Sequence, residues 1–221
     1  MKLGTLTIGQ SPRADMLPEM VPLFGPGVAV VERGALDGLS LDEVKAFAPT
    51  TGDYVLVTRM GDGTSVTIAE RFILPRMKQH VADLAAEGCD AVLLLCTGEF
   101  PSFTAPVPLV RPVRLLKGVV GALAKDGHLG VLTPSAEQVP QATKRWLEVA
   151  PRVTAQPASP YGAPGLVDAG AMGLAAAGVE LVLMDCMGYT QEMKARVKAI
   201  VKCPVLLARG VVARVVGELV S

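Results

Sequence analysis

One phrase occurs twice in this chain. The first copy runs Gly88-Cys89-Asp90-Ala91-Val92-Leu93-Leu94-Leu95-Cys96-Thr97-Gly98, and the second runs Gly178-Val179-Glu180-Leu181-Val182-Leu183-Met184-Asp185-Cys186-Met187-Gly188. Each is a glycine, an acid, an apolar run, a cysteine, one further residue and a closing glycine. The separation of the matching cysteines equals that of the matching glycines. An apolar run closed by Cys-x-Gly predicts a buried parallel strand with a thiol at its carboxyl end. Open α/β sheets bind their ligands at that end. The repeat therefore predicts two similar α/β halves. If they face each other, one thiol stands on either side of a shared cleft.

The chain has 221 residues, which fits one large domain or two small ones. Half its residues are hydrophobic but only 4% are aromatic, so Val, Leu and Ala must fill the core. Formal charge is zero, with no basic stripe, and this argues against a nucleic-acid partner. No unbroken apolar run reaches the ~18 residues of a membrane span. The greasiest stretch, Gly165 to Met187, is interrupted by Asp168 and Glu180. Lys2 precedes strand-like residues broken by Gly9 and Gln10, unlike a signal peptide. The expectation is a soluble, cytoplasmic protein with no membrane partner. The four cysteines include no CxxC pair, and His80 and His128 stand alone. Neither a disulfide framework, a metal site nor a cofactor is expected.

The elements alternate. Leu3 to Ile8 reads as a strand, followed by a helix for which Ser11 is the N-cap, Pro12 the first residue and Asp15 part of the first turn. Val28 to Val31 is a second strand. Ser40-Leu41-Asp42-Glu43 is a capping box. Tyr54 to Thr58 and Val66 to Ile68 flank Asp62-Gly63 and predict an added β-hairpin. A helix spans Glu70 to Glu87, with Pro75 delaying or bending its start. A proline-rich crossover runs from Phe100 to Pro112, then a helix from Arg114 to Lys125. The second half restarts with Leu129 to Thr133 and Thr133-Pro134, echoing Leu3 to Thr7 and Ser11-Pro12. A helix through Leu147, a strand Val153 to Gln156, a loop Ser159 to Gly162 and a helix through Ala177 follow. The second cysteine strand, Leu181 to Met184, comes next. A helix Gln191 to Val201, a strand Val205 to Ala208 and a helix Val211 to Leu219 complete the chain. This alternation predicts parallel sheets flanked by helices.

A thiolate is the reactive form of cysteine, and backbone N–H groups at a strand-to-helix turn stabilise it. The same N–H groups suit a substrate carboxylate. With two opposed thiols, one removes a proton from a carbon and the other delivers a proton to the opposite face. That inverts a stereocentre without a cofactor. Alternatively, one thiol is a nucleophile and the other an acid, giving isomerisation, elimination or decarboxylation. A substrate carbon between them requires sulfurs roughly 7–8 Å apart. The plainer alternative is that cysteine is a small apolar residue ending a buried strand. Cys89 and Cys203 do not match each other and read as structural.

Several stretches resemble the AroM family: Thr7-Ile8-Gly9-Gln10-Ser11-Pro12-Arg13-Ala14-Asp15, Thr58-Arg59 with Asp62-Gly63-Thr64, Leu74-Pro75-Arg76, Leu95-Cys96-Thr97-Gly98, Ser159-Pro160-Tyr161-Gly162 and Asp185-Cys186-Met187-Gly188-Tyr189-Thr190. The architecture is similar to the wider aspartate/glutamate racemase superfamily, which includes hydantoin racemases, maleate isomerases and arylmalonate decarboxylases. The resemblance implies two α/β lobes related by a pseudo-two-fold, with one cysteine each across a cleft. It implies an N-terminal lobe of residues 1–112 and 205–221 holding Cys96, and a C-terminal lobe of residues 113–204 holding Cys186. Those racemases typically follow the first cysteine with Asn-Thr and the second with a hydroxyl residue. Here Thr97-Gly98 and Met187-Gly188 follow, which argues against the amino-acid specificity of the classical racemases.

On this reading Cys96 and Cys186 are the catalytic pair. Ser11, Arg13, Thr97, Gly98, Tyr161, Met187, Gly188, Tyr189 and Thr190 are candidates to hold a small carboxylate. Arginine is a natural bidentate partner for that group, although Arg13 also reads as solvated and Ser11 and Thr97 as helix caps. Asp185 points opposite to Cys186 if it ends the strand. Arg59 reads either as reaching over the site or as an exposed hairpin charge. Arg209 and Gly210 follow the last strand, undecided between site and surface. The rival is a non-catalytic small-molecule binder or sensor on the same fold. A homodimer is allowed but not demanded.

Overall fold

A computed structural model describes residues 1–124 and 127–221, so Lys125, the expected end of the Arg114 helix, lies outside the described residues. The chain divides into two compact units, Met1–Pro112 with Ala213–Ser221, and Val113–Val212. The first holds β1 (Lys2–Thr7), α1 (Leu17–Met20), β2 (Ala29–Gly34), α2 (Leu41–Lys45), β3 (Val55–Arg59), β4 (Ser65–Ala69), α3 (Leu74–Ala86), β5 (Ala91–Leu94) and β6 (Leu109–Val110). Its parallel sheet has the order β2-β1-β5-β6, and β3-β4 is a separate antiparallel hairpin. The second holds α4 (Pro112–Leu123), β7 (His128–Thr133), α5 (Val139–Trp146), β8 (Arg152–Pro157), α6 (Gly165–Ala176), β9 (Leu181–Met184), α7 (Gln191–Val201), β10 (Val205–Leu207) and the start of α8 (Ala208–Val220). Its sheet order is β10-β9-β7-β8, the same arrangement with β7, β8, β9 and β10 in the places of β1, β2, β5 and β6.

The duplication extends to single hydrogen bonds, and these explain the repeated phrase. Gly88 (φ +81) and Gly178 (φ +66) close the helices α3 and α6 in the left-handed conformation that favours glycine. The acid two places on clasps the start of the neighbouring strand. The Asp90 carboxylate accepts from the Lys2 amide at 2.7 Å, and the Asp90 amide donates back to the Lys2 carbonyl at 2.8 Å. Glu180 does the same with His128, at 3.2 and 2.8 Å. The apolar run is then the central strand, every residue of β5 and β9 being buried between helix-covered faces. Each pairs in the same register with the first strand of its unit, Leu3 with Ala91 and Leu129 with Leu181. The cores form around them: Leu6, Leu36, Val81, Leu84 and Val92 in the first unit, and Leu132, Ala171, Leu174, Val182 and Val197 in the second.

The Ser40 capping box and the Asp62-Gly63 hairpin form as the sequence predicts. Three expectations are corrected and one is narrowed. Ser11 and Thr133 cap no helix. The helices instead begin at Leu17 and Val139, each with a proline in its first turn, where a missing N–H costs nothing. The Asp37 carboxylate takes the Ser11 hydroxyl instead, at 2.7 Å. Pro75 sits in the first turn of α3, whose start is delayed from Glu70 to Leu74, as one of the two expected effects, and does not bend it. The proline-rich crossover contains β6, paired with β5. The last strand does not return to the first unit, because β10 pairs with β9.

Three stability predictions come from these contacts. A β-carbon at Gly9 would collide with the Arg59 carbonyl and Thr58 Oγ1. Gly9→Ala should cost about 1–3 kcal/mol in urea denaturation. Gly118→Ala, at an exposed helical position with open space around it, should gain about 0.5–1 kcal/mol. His128 is buried beside Thr154, its Nε2 being 2.8 Å from the hydroxyl, and burial together with the Arg152 cation pushes its pKa below the ordinary 6.5. The unfolded chain then takes up that proton first, so the contribution is complete above pH ~6.5 and lost as pH falls below it. Unfolding free energy should decline on acidification through that range, and less so in His128→Gln.

Candidate functional site

In the first unit, loops leave the carboxyl edge of the sheet after β1, β2 and β5. The loop after β1 is locked by long-range bonds. The Gln10 side chain donates to the Leu36 and Leu39 carbonyls at 3.1 and 2.8 Å and accepts from the Gly61 amide at 2.6 Å, tying the hairpin down. The Asp37 carboxylate accepts from the Ser11 amide, the Ser11 hydroxyl and the Gly34 amide, each at 2.7 Å. Arg76, from α3, donates to the Ala35 and Asp37 carbonyls at 2.5 Å each. Arg13 is not solvated. It is 3% exposed, donates to both Asp15 carboxylate oxygens at 2.8 and 2.7 Å, and reaches Thr7 Oγ1 at 2.8 Å. Burial pushes the Asp15 carboxyl up, but the Arg13 hydrogen bonds and charge outweigh it and hold it below the usual range. Arg59 donates to the Gly63 carbonyl within its own hairpin.

After β5 the chain turns through Leu95, Cys96, Thr97 and Gly98. The Gly98 amide donates to Cys96 Sγ at 3.3 Å. Leu95, Thr97 and Gly98 are buried, and Cys96 is the residue of this turn that stays partly exposed.

The second unit repeats the turn. The Gly188 amide donates to Cys186 Sγ, again at 3.3 Å, and Cys186 is the partly exposed residue between buried Asp185 and buried Met187 and Gly188. Asp185 lies one residue past the end of β9 and is engaged by α5. Its carboxylate, 2% exposed, accepts from Arg145 and, at 2.7 Å, from the Trp146 indole N–H. The Met187 carbonyl accepts from Arg209 Nε at 2.7 Å. The Tyr161 ring lies over Gly188, on the side where a β-carbon would point. Arg209, in the first turn of α8, is buried and so belongs to the support of this turn rather than the surface.

The structure thus brings Ser11, Arg13, Cys96, Thr97 and Gly98 to one sheet edge, and Tyr161, Cys186, Met187, Gly188, Tyr189 and Thr190 to the other. It reassigns three of them. Tyr189 is fully buried and donates to the Ala158 carbonyl at 2.6 Å, with burial and then the neighbouring Cys186 and Asp185 pushing its phenol well above 10. Met187 is 1% exposed, and its carbonyl is the part engaged. Thr190 is the N-cap of α7, accepting from the Met193 amide at 3.1 Å. Cys89 and Cys203 lie elsewhere, and burial pushes both thiols up.

The family model described as AroM protein matches residues 3–220. The chain belongs to the AroM family. No curated protein matches it in sequence. Solved structures share the fold. An aspartate racemase from Picrophilus torridus is 9% identical, with 99% of this chain and 94% of that one covered at a TM-score of 0.59. An arylmalonate decarboxylase is 12% identical, with 100% and 93% covered at 0.59. A maleate cis-trans isomerase from Nocardia farcinica is 14% identical, with 96% and 89% covered at 0.59. Another structure of that isomerase holds a covalently bound succinylcysteine intermediate. Several residues of the AroM-like segments in the first unit lock its loops, Gln10, Ser11, Arg13 and Arg76 among them.

Arg145, Trp146 and Asp37 carried no signal in the sequence, since each acts through a partner distant along the chain. No helix among the described residues is long and apolar enough to cross a membrane. For the buried network, removing one ionic partner leaves an uncompensated charge. Arg145→Ala should therefore destabilise the protein by about 3–5 kcal/mol. Tyr189→Phe, which removes one neutral hydrogen bond, should cost only ~1 kcal/mol. Thermal unfolding checks both.

Proposed function

We propose that this protein is a cofactor-independent thiol enzyme of the racemase, isomerase or decarboxylase type, cytoplasmic, acting on a small carboxylate through Cys96 and Cys186. The observation that carries this reading is the duplicated turn. In both copies the cysteine is the residue left partly exposed, at the carboxyl edge of a parallel sheet, with a backbone N–H 3.3 Å from its sulfur. An N–H aimed at sulfur stabilises negative charge there. Partial exposure leaves each sulfur within reach of a ligand, which proton transfer requires.

In the proton-transfer form, one thiolate takes the proton from the carbon next to the carboxylate and becomes a thiol. The electron pair passes onto the carboxylate as an enediolate. The second thiol returns a proton to the opposite face and becomes a thiolate, so the protons balance over a turnover. In the nucleophilic form, a thiolate adds to an activated carbon and is later expelled, as the succinylcysteine of the isomerase illustrates for that protein. Since Arg13 is already paired with Asp15, we assign the carboxylate to the backbone amides of the two turns, with Ser11 beside the first.

The test is alkylation at pH 7 followed by mass spectrometry, resolving all four cysteines, with and without a panel of small dicarboxylates. Cys96 or Cys186 should react at least about tenfold faster than Cys89 and Cys203, and a panel member should slow it. Four equal or inert thiols would overturn the enzyme reading in favour of a non-catalytic binder. The protecting acid then becomes the substrate for a turnover assay, which Cys96→Ser and Cys186→Ser should each abolish.

A further inference from the structure

The two turns share their shape but not what stands behind them. Before Cys96 comes Leu95, an apolar side chain buried in the core. Before Cys186 comes Asp185, whose buried carboxylate is held by Arg145 and by the Trp146 indole at 2.7 Å. The Leu95 amide is bonded to the Leu6 carbonyl at 2.8 Å and the Asp185 amide to the Leu132 carbonyl at 2.9 Å, so the backbones are anchored alike. The sulfur-to-amide distance is the same in both. The first unit therefore shows that leucine at this place suffices to build the turn. A buried ion pair is no better for stability than a well-packed apolar residue. The ionic network in the second unit calls for another reason.

We propose that Arg145 and Trp146, acting through Asp185, are positioning residues for Cys186, so that the two thiols of the proposed pair are unequal by construction. This rests on the two-thiol reading above. The second turn is held along its length: Asp185 from α5, the Met187 carbonyl by Arg209 from α8 at 2.7 Å, and Tyr189 by the Ala158 carbonyl at 2.6 Å. Such support fixes the rotamer and direction of the thiol, and the geometry of attack depends on both. Tyr189 feels the charges of Cys186, Asp185 and Tyr161, Arg145 pairs with Asp185, and Arg209 bonds the Met187 carbonyl, so the charged groups of this turn are linked and the reactivity of Cys186 should respond to the Arg145–Asp185 pair. Cys186 is then the preorganised thiol, whereas Cys96 follows an apolar residue, Leu95, in place of a buried carboxylate.

The experiment compares Trp146→Phe, which removes only the N–H, and Asp185→Leu, which copies the first turn. The alkylation rate of Cys186 is followed against pH, with Cys96 in the same molecule as the reference. Reagent is used at a concentration that modifies both thiols in the unaltered protein. Each variant should change the Cys186 rate at least about fivefold and move the midpoint of its pH profile, while Cys96 stays within about twofold. The single tryptophan gives a second signal. Its emission should shift when Cys186 is modified in Cys96→Ser, and this response should weaken in Asp185→Leu. An unchanged Cys186 profile in Trp146→Phe would overturn the proposal, as would parallel changes in both thiols. If Asp185→Leu does not fold, Trp146→Phe decides. Failure of the two-thiol reading looks different, because it appears in the unaltered protein as Cys186 reacting no faster than Cys203.

Discussion

The register of the central strand pair decides where each thiol emerges. In both units the first strand and the cysteine strand are paired in parallel, Leu6 with Leu94 and Leu132 with Met184. Side chains alternate along a strand, so a slip of one residue would turn the cysteine inward and bury the acid or leucine before it differently. That register is fixed at the amino end by the carboxylate clasps of Asp90 and Glu180. At the carboxyl end it is fixed by the Leu95 and Asp185 amides. The repeated acid thus sets the position of a residue six places further on, with no part in the chemistry itself.

What the sequence made legible follows from this. The central strands are apolar throughout because helices cover both faces, and continuous runs are the easiest signal to read. The hairpin and the Ser40 capping box are local, their partners lying within a few residues, so their composition is sufficient. The first loop was misread for the opposite reason. Ser11 and Pro12 look like a helix start, but the Asp37 carboxylate, distant in sequence, binds the Ser11 amide and hydroxyl and takes the chain another way. Arg13 was offered as a carboxylate ligand, and it binds one, though the carboxylate is that of Asp15. The strand β6 was hidden because two residues between prolines have no period.

The same distinction governs the site. Cysteine position and the glycine that follows are encoded in a contiguous phrase, but the helix expected after each cysteine follows only Cys186, as α7, while β6 follows Cys96 and the next helix starts at Pro112. The supports of the Cys186 turn come from α5 and α8, whose residues sit in ordinary amphipathic helices. Arg145 and Trp146 occupy the last turn of α5, where a basic residue suits the helix dipole and an aromatic suits the core. Only the fold shows that both converge on one carboxylate.

A duplicated chain carries its own control. Features common to both units and closed upon themselves, such as the glycine C-caps and the carboxylate clasps, are what the sheet requires. The Cys-x-Gly turn is also common, yet its cysteine is partly exposed in both copies and packs only one side against the core. Packing can be satisfied at that place by many small residues, and the thiol present in both copies is what the proposed function rests on. Features present in one unit alone mark where the two thiols have been given different surroundings. Asp185 against Leu95 is the sharpest such difference, because it replaces an apolar contact by a buried charge that must be neutralised by a second element. A charge in that setting holds its neighbour's geometry tightly, since every displacement weakens a bond made in a low-dielectric interior. The two turns are thus alike in backbone and unlike in charge, and the proposed reaction, with one acid and one base at any instant, would make use of that difference.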